Sequence, residues 1–165
     1  MPATKSKLHA TKIDIPEKTR VELVDLLNAR LADTADLASQ LKQAHWNVKG
    51  KDFQQLHELF DAVEAAVHPY VDMLAERATT LGATAMGTVR MAAKSSKLTE
   101  YPADITNGKD HLMAVRDRLA KYAGLVREAI GKASDLDEPT TEDLFTEISR
   151  TVDLQLYFVE AHLQD

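Results

Sequence analysis

The chain has 165 residues, 26 of them acidic and 20 basic for a formal net charge of −6, and 44% are apolar. That length suits one domain with a sizeable core, and the apolar share argues against global disorder. The acidic balance does not suit a body coated for nucleic acid, the absence of cysteine excludes disulfides and thiolate chemistry, and no apolar run reaches membrane-spanning length.

Residues 1–15, MPATKSKLHATKIDI, read as a mobile, mildly basic tail that carries Lys5, Lys7 and Lys12 and lacks the pattern of a signal peptide. Residues 16–165 read as one all-α domain. Pro16 suits a first helical turn, and apolar residues then recur at Val21, Val24, Leu27, Leu31, Leu37 and Leu41, predicting a helix to about Trp46. Asn47 to Lys51 break it. Asp52 can cap a second helix, with Gln55 completing a capping box, and the pattern carries that helix from Phe53 to about Leu81, roughly 40 Å. Residues 82–103 form a long connection with room for a short helix around Thr88 to Ala93. Further helices are predicted over about Asp104–Gly131 and Thr140–His162. Four long helices with one long crossover predict a four-helix bundle, for which the ferritin-like up-down-down-up order is one solution.

The second helix carries a polar stripe. With Asp61 at zero, His57 falls at about −40°, His68 at about −20°, Asp72 at about +20° and Glu76 at about +60°. His57 and Glu76 are about 28 Å apart along the axis, so the stripe is either a wet face or divided between separate sites. The pairs Asp61/Asp72 and His57/Glu76 share one midpoint, between Ala66 and Val67. Two copies crossing antiparallel there would set His57 and Asp61 of one against Asp72 and Glu76 of the other, making two equivalent sites, with Ala62, Ala65 and Ala66 allowing close approach. His45, at the end of the preceding helix, can fold back toward His57. Imidazoles and carboxylates without sulfur suit iron, manganese or zinc. The adjacent Trp46 indole is a candidate electron donor. The competing reading of a lone His57–Asp61 pair is an ordinary surface contact.

These residues resemble the Dps family, the ferritin-like mini-ferritins. The likeness lies in KQAHWNVKGKDFQQLHELFD (Lys42–Asp61), DMLAERATTLG (Asp72–Gly82), YPADI, DHL and REAIGKA, and it covers nearly the whole chain after the tail. It implies a ferritin-like bundle whose short extra helix lies in the crossover between the second and third long helices. His45, His57 and Asp61 of one subunit would be ligands together with Asp72 and Glu76 of its two-fold mate. It also implies a hollow dodecamer that oxidises Fe2+ to Fe3+, preferentially with hydrogen peroxide and with room for two ions per site, and stores ferric mineral against oxidative damage. The cytoplasm is the implied location, with nucleoid association as the variant.

Other residues carry two readings each. His68, one turn before Asp72, and His162 are candidate additional ligands, or else surface imidazoles; a histidine-rich site would favour Zn2+ as a competing or resting ion. The acidic window from Asp135 to Glu147 is a solvated helix start or, in a mini-ferritin, part of a three-fold channel, with Asp135, Asp143 and Glu147 as the first residues to test. Glu64 is expected to pair with Arg77 or meet water. His9 and His111 have no matched geometry and read as non-catalytic. DNA binding through Lys5, Lys7 and Lys12 is the competing function and is not favoured, and a metal-free helical assembly is the third. No membrane partner is expected.

Overall fold

The computed structural model describes residues 8–164. Its helices are α1 (Glu17–Asn47), α2 (Phe53–Val67), α3 (Pro69–Thr80), α4 (Val89–Ser95), α5 (Gly108–Asp135) and α6 (Pro139–Ala161). Helix α1 buries Leu23, Val24, Leu27, Leu31, Leu37 and Leu41 against α2 and α3, while α5 buries Leu119, Tyr122 and Val126 and packs chiefly along α6. The result is a four-helix bundle in which α2 and α3 together make one long arm. Among the described residues, no helix is long and apolar enough to cross a membrane.

The second arm is interrupted, where the apolar pattern predicts one continuous helix. Pro69 has no backbone N–H to donate to the preceding turn, which divides α2 from α3. His68 nevertheless keeps helical angles, φ −52° and ψ −42°, so direction is preserved. The buried residues Leu56, Phe60, Val63, Val67, Tyr70, Leu74 and Ala78 run across the junction at helical spacing. The polar stripe on the opposite face therefore also keeps its phase.

The crossover holds α4 against α1 and returns the chain to the end where α2 begins. Lys49 donates its backbone N–H to the Thr106 carbonyl at 2.9 Å. The first residue of α5, Gly108, lies so close to Leu56 that an added Cβ would clash with its Cδ1. With both helices starting at one end, α2 and α5 run parallel, which gives the ferritin-like order. A buried ion pair fastens this path: Arg30 meets Asp33 at 2.7 Å and donates to the Leu125 carbonyl, while Asp33 accepts from the Lys97 amide. Burial pushes the Asp33 carboxyl upward, against the lowering effect of these donors.

Several boundaries differ from expectation. The capping box at Asp52 is not made: with φ −100° and ψ 18°, Asp52 lacks the extended geometry that aims a side chain at the first turn, and it makes no side-chain cap. Helix α5 starts at Gly108 because Asn107 caps the Asp110 amide. It then continues through Gly131. Helix α6 starts at Pro139 because the Glu138 carboxylate accepts from the Thr140 and Thr141 amides.

Residues 8–15 lie along the bundle. Leu8 and Ile15 pack against the core, and the His9 amide donates to the Gly82 carbonyl at 2.6 Å. Arg20 reinforces the junction by donating to the Ile15 and Leu81 carbonyls. Lys12 is exposed, whereas Lys5 and Lys7 lie outside the described residues. Gly82 has φ +94°, and an added Cβ would stand 2.7 Å from the His9 carbonyl oxygen. Gly82→Ala is therefore expected to cost about 1–3 kcal/mol. Chemical denaturation at fixed protein concentration, with hydrogen exchange at residues 8–15, should show lower stability and weaker protection there. Unchanged protection would contradict this clamp.

Candidate metal centre

His45 sits in the last turn of α1 and His57 in the second turn of α2, and the loop through Gly50 (φ +114°) brings them face to face. Their rings stack with centroids 3.7 Å apart and planes 21° apart. Each Nδ1 lies 2.8 Å from the other residue's backbone carbonyl oxygen. A carbonyl only accepts, so both rings carry their proton on Nδ1, an assignment made from the bonding pattern. Each Nε2 is left with a lone pair. A backbone carbonyl behind a histidine is a common device for fixing a metal-ligating tautomer and ring plane.

Asp61 stands one turn beyond His57. Its Oδ1 accepts from Lys42 Nζ at 2.5 Å and lies 4.0 Å from His45 Nδ1. The hydrogen bond from Lys42 holds the Asp61 carboxyl below the ordinary carboxylate range and in turn raises the Lys42 ammonium. Asp61 is 53% exposed, so solvent screens the pair. Sequence reasoning missed Lys42. The available signal was position: Lys42 lies one turn before His45 on α1, which α2 packs against.

Asp72 and Glu76 are exposed on α3, and among the described residues neither side chain has a hydrogen bond or ion pair. Ala62 and Ala65, between the two halves of the stripe, are also exposed. Within one chain the described residues bring His45 and His57 together with Asp61 beside them. Asp72 and Glu76 remain further along the arm, and no group of three or more His, Asp or Glu converges in a way that could hold an ion. Trp46 is 65% exposed.

The remaining candidates are dispersed. His68, its side chain 69% exposed, has Nδ1 2.7 Å from Glu64. Glu64 thus pairs with His68 rather than Arg77, because Arg77 is directed to Glu138 at 2.9 Å and to Thr141 Oγ1 at 3.1 Å. Burial pushes Glu138 upward, but hydrogen bonds from Thr141 and Arg77 hold it below its ordinary value. His162 has Nδ1 2.7 Å from the Phe158 carbonyl and lines a cleft with Asp52, Gln55 and Lys109. Asp135 and Asp143 are exposed at the α5–α6 corner, whereas Glu147 is half-buried and accepts from the Tyr70 hydroxyl at 3.4 Å.

Comparison with known proteins agrees with this architecture. The ferritin-like domain family matches residues 24–165. The DNA protection during starvation protein of Agrobacterium fabrum is 41% identical over 159 residues, spanning 96% of this chain and 98% of that protein. The chain belongs to the Dps family. Among solved structures, DpsC from Streptomyces coelicolor superposes with a TM-score of 0.92 at 28% identity, covering 100% of this chain and 96% of its own. The Dps protein of Vibrio cholerae, described as a member of a broad superfamily of ferritin-like diiron-carboxylate proteins, shares the fold with a TM-score of 0.87 at 22% identity, over 99% of this chain and all of its own.

In this Dps-family chain the donor set fits a hard or borderline divalent ion: two oriented imidazole nitrogens and an ionised carboxylate, with no sulfur. Lys42 competes for the same carboxylate that an ion would use. Because its folded value is depressed, Asp61 contributes stability above the unfolded carboxylate value, and that contribution is lost as pH falls through the lower folded value. In the metal-free protein, carbon-13 NMR should find Asp61 titrating below ordinary aspartates, and Lys42→Met should move its midpoint upward. An unmoved midpoint would show that Lys42 does not set this carboxylate's charge.

Proposed function

We propose that the protein is a ferroxidase mini-ferritin that binds Fe2+ as substrate at sites shared between subunits, oxidises it and stores the ferric product in a hollow homo-oligomer, the dodecamer of the family resemblance. The observation that carries this reading is the stacked His45–His57 pair, whose backbone bonds occupy both Nδ1 atoms and leave both Nε2 lone pairs available, with Asp61 beside the pair and Asp72 and Glu76 further along the same arm. The Agrobacterium relative and the diiron-carboxylate description of the Vibrio structure support an iron-handling, DNA-protecting role.

In this reading His45, His57 and Asp61 of one subunit and Asp72 and Glu76 of its two-fold mate surround the iron. The carboxylates offset the charge of two ions, and the imidazoles supply neutral donors. Each hydrogen peroxide takes one electron from each of two Fe2+ ions, takes up two protons and leaves as two waters. Trp46 donates an electron when a one-electron oxidant escapes. Removing ferrous iron and peroxide together protects DNA without requiring contact with it, and Lys5, Lys7 and Lys12 supply only a weak, salt-sensitive attraction to phosphates. The work is that of a cytoplasmic protein. Zn2+ competes for the same donors, His68 and His162 being its candidate extra ligands, and Asp135, Asp143 and Glu147 are candidates for guiding cations inward.

Anaerobic titration of the metal-free assembly with Fe2+, followed by limiting peroxide, should oxidise two Fe2+ per peroxide consumed. His57→Ala should slow this by at least about 10–100-fold without changing particle size, since removing a direct donor costs no less than removing a residue that only orients one. Iron binding without oxidation, or an unchanged rate in the variant, would remove the ferroxidase reading.

A further inference from the structure

The crossover carries a second redox-capable group that the metal stripe does not use. Tyr101, between α4 and α5, is only 9% exposed, and its hydroxyl lies 2.7 Å from Nδ1 of His111, which is 1% exposed. The two rings stack at 5.9 Å. Arg118 fixes the phenol in place: its guanidinium lies 5.5 Å from the ring centroid, and it donates to Gln40 Oε1 and the Glu100 carbonyl. Tyr101 also lines a cleft of about 530 Å3 between α1 and the crossover, and Trp46 lines the same cleft. The other tyrosines are placed differently. Tyr122 is bonded to Thr34, Tyr70 to Thr151 with Glu147 at 3.4 Å, and Tyr157 is exposed.

A phenol hydrogen-bonded to an imidazole gives up an electron and a proton together, which costs less than removing an electron alone. We propose that Tyr101 and His111 form a hole sink for Trp46, in which an oxidised indole takes an electron from Tyr101 while the phenolic proton moves to His111 Nδ1. Burial holds the His111 imidazole below its ordinary value, and among the described residues its Nε2 has no hydrogen-bond partner, so the Tyr101 hydroxyl is the polar group its ring meets. The oxidant is a hydroxyl radical, and this source rests on the ferroxidase reading: one Fe2+ and one proton convert peroxide to Fe3+, water and that radical. The radical takes one electron from Trp46 and one proton from solvent to become water. Trp46 is restored by Tyr101, leaving a neutral tyrosyl radical and an imidazolium. A second Fe2+ then returns the electron and His111 returns the proton, so Tyr101 is regenerated as Fe3+ forms.

The test uses the metal-free assembled protein, oxidised by a flash-excited ruthenium tris(bipyridine) complex with a cobalt(III) ammine as electron acceptor, and follows the radicals by transient absorption and electron paramagnetic resonance. An indole radical should decay into a tyrosyl radical more slowly in heavy water. The tyrosyl signal should be lost in Tyr101→Phe and in Trp46→Phe, and retained in Tyr157→Phe. A tyrosyl signal that survives Tyr101→Phe, an indole radical that never passes to tyrosine, or a transfer indifferent to heavy water would overturn the relay; the heavy-water result needs no variant. Rapid freezing after Fe2+ and peroxide gives the second arm. The same radical there supports both readings, whereas its formation by light but not by iron and peroxide would keep the relay and count against the iron reading.

Discussion

Each of two imidazoles donates from Nδ1 to the backbone of the other, and the chemistry proposed for this fold depends on that reciprocal bond. It joins the end of α1 to the start of α2, fixes both tautomers and leaves both Nε2 atoms free. A loop with positive φ at Gly50 lets the chain reverse sharply enough to form it. Ala44 and Leu56, the residues just before each histidine, are buried in the core, and the Phe53 ring centroid lies 5.0 Å from that of His57, so packing as well as hydrogen bonding sets the pair's position. Sites held by rigid elements lose less geometry to thermal motion than sites held by loops.

The long arm contributes a second constraint. Its helix is broken at Pro69, yet the apolar residues on either side stay in register, and the acidic residues on the opposite face stay in register with them. A change of phase at the junction would have rotated Asp72 and Glu76 away from the face that bears His57 and Asp61. The buried Arg30–Asp33 pair lies within α1 and ties it to α5 through the Leu125 carbonyl and to the crossover through the Lys97 amide, and the Arg77–Glu138 pair ties α3 to the start of α6. Removing one member of a buried pair is costly because it strands the other charge.

Much of this was legible in the sequence because it follows from periodicity. Helical spacing marked the four arms and the face shared by His57, Asp61, Asp72 and Glu76, and the length of the connection marked the short crossover helix. The features that escaped are those where distant contacts or a single local constraint decide. Pro69 carried its own warning, since it cannot donate the bond that a continuous helix requires. The Asp52 capping box failed because the turn after Gly50 fixes an unsuitable backbone angle. Glu64 had two plausible partners by spacing, and Arg77 was drawn instead to the buried Glu138. The short loop made the approach of His45 to His57 legible, but not the reciprocal imidazole–carbonyl bonds. Likewise the contact between Tyr101 and His111 depends on how the loop before α5 turns, and the docking of residues 8–15 at Gly82 joins segments that only the assembled bundle brings together.

The central claim is that one subunit's imidazoles work with another subunit's carboxylates, and mixing two impaired variants tests it most directly. Subunits bearing His57→Ala would be unfolded, mixed in equal amounts with subunits bearing Asp72→Ala and Glu76→Ala, and reassembled. Each variant alone should keep only a small residual rate. If every site draws its two halves from different chains, random reassembly leaves about one quarter of the sites intact, with a matching recovery of iron oxidation. No recovery from correctly sized mixed assemblies would contradict the shared site.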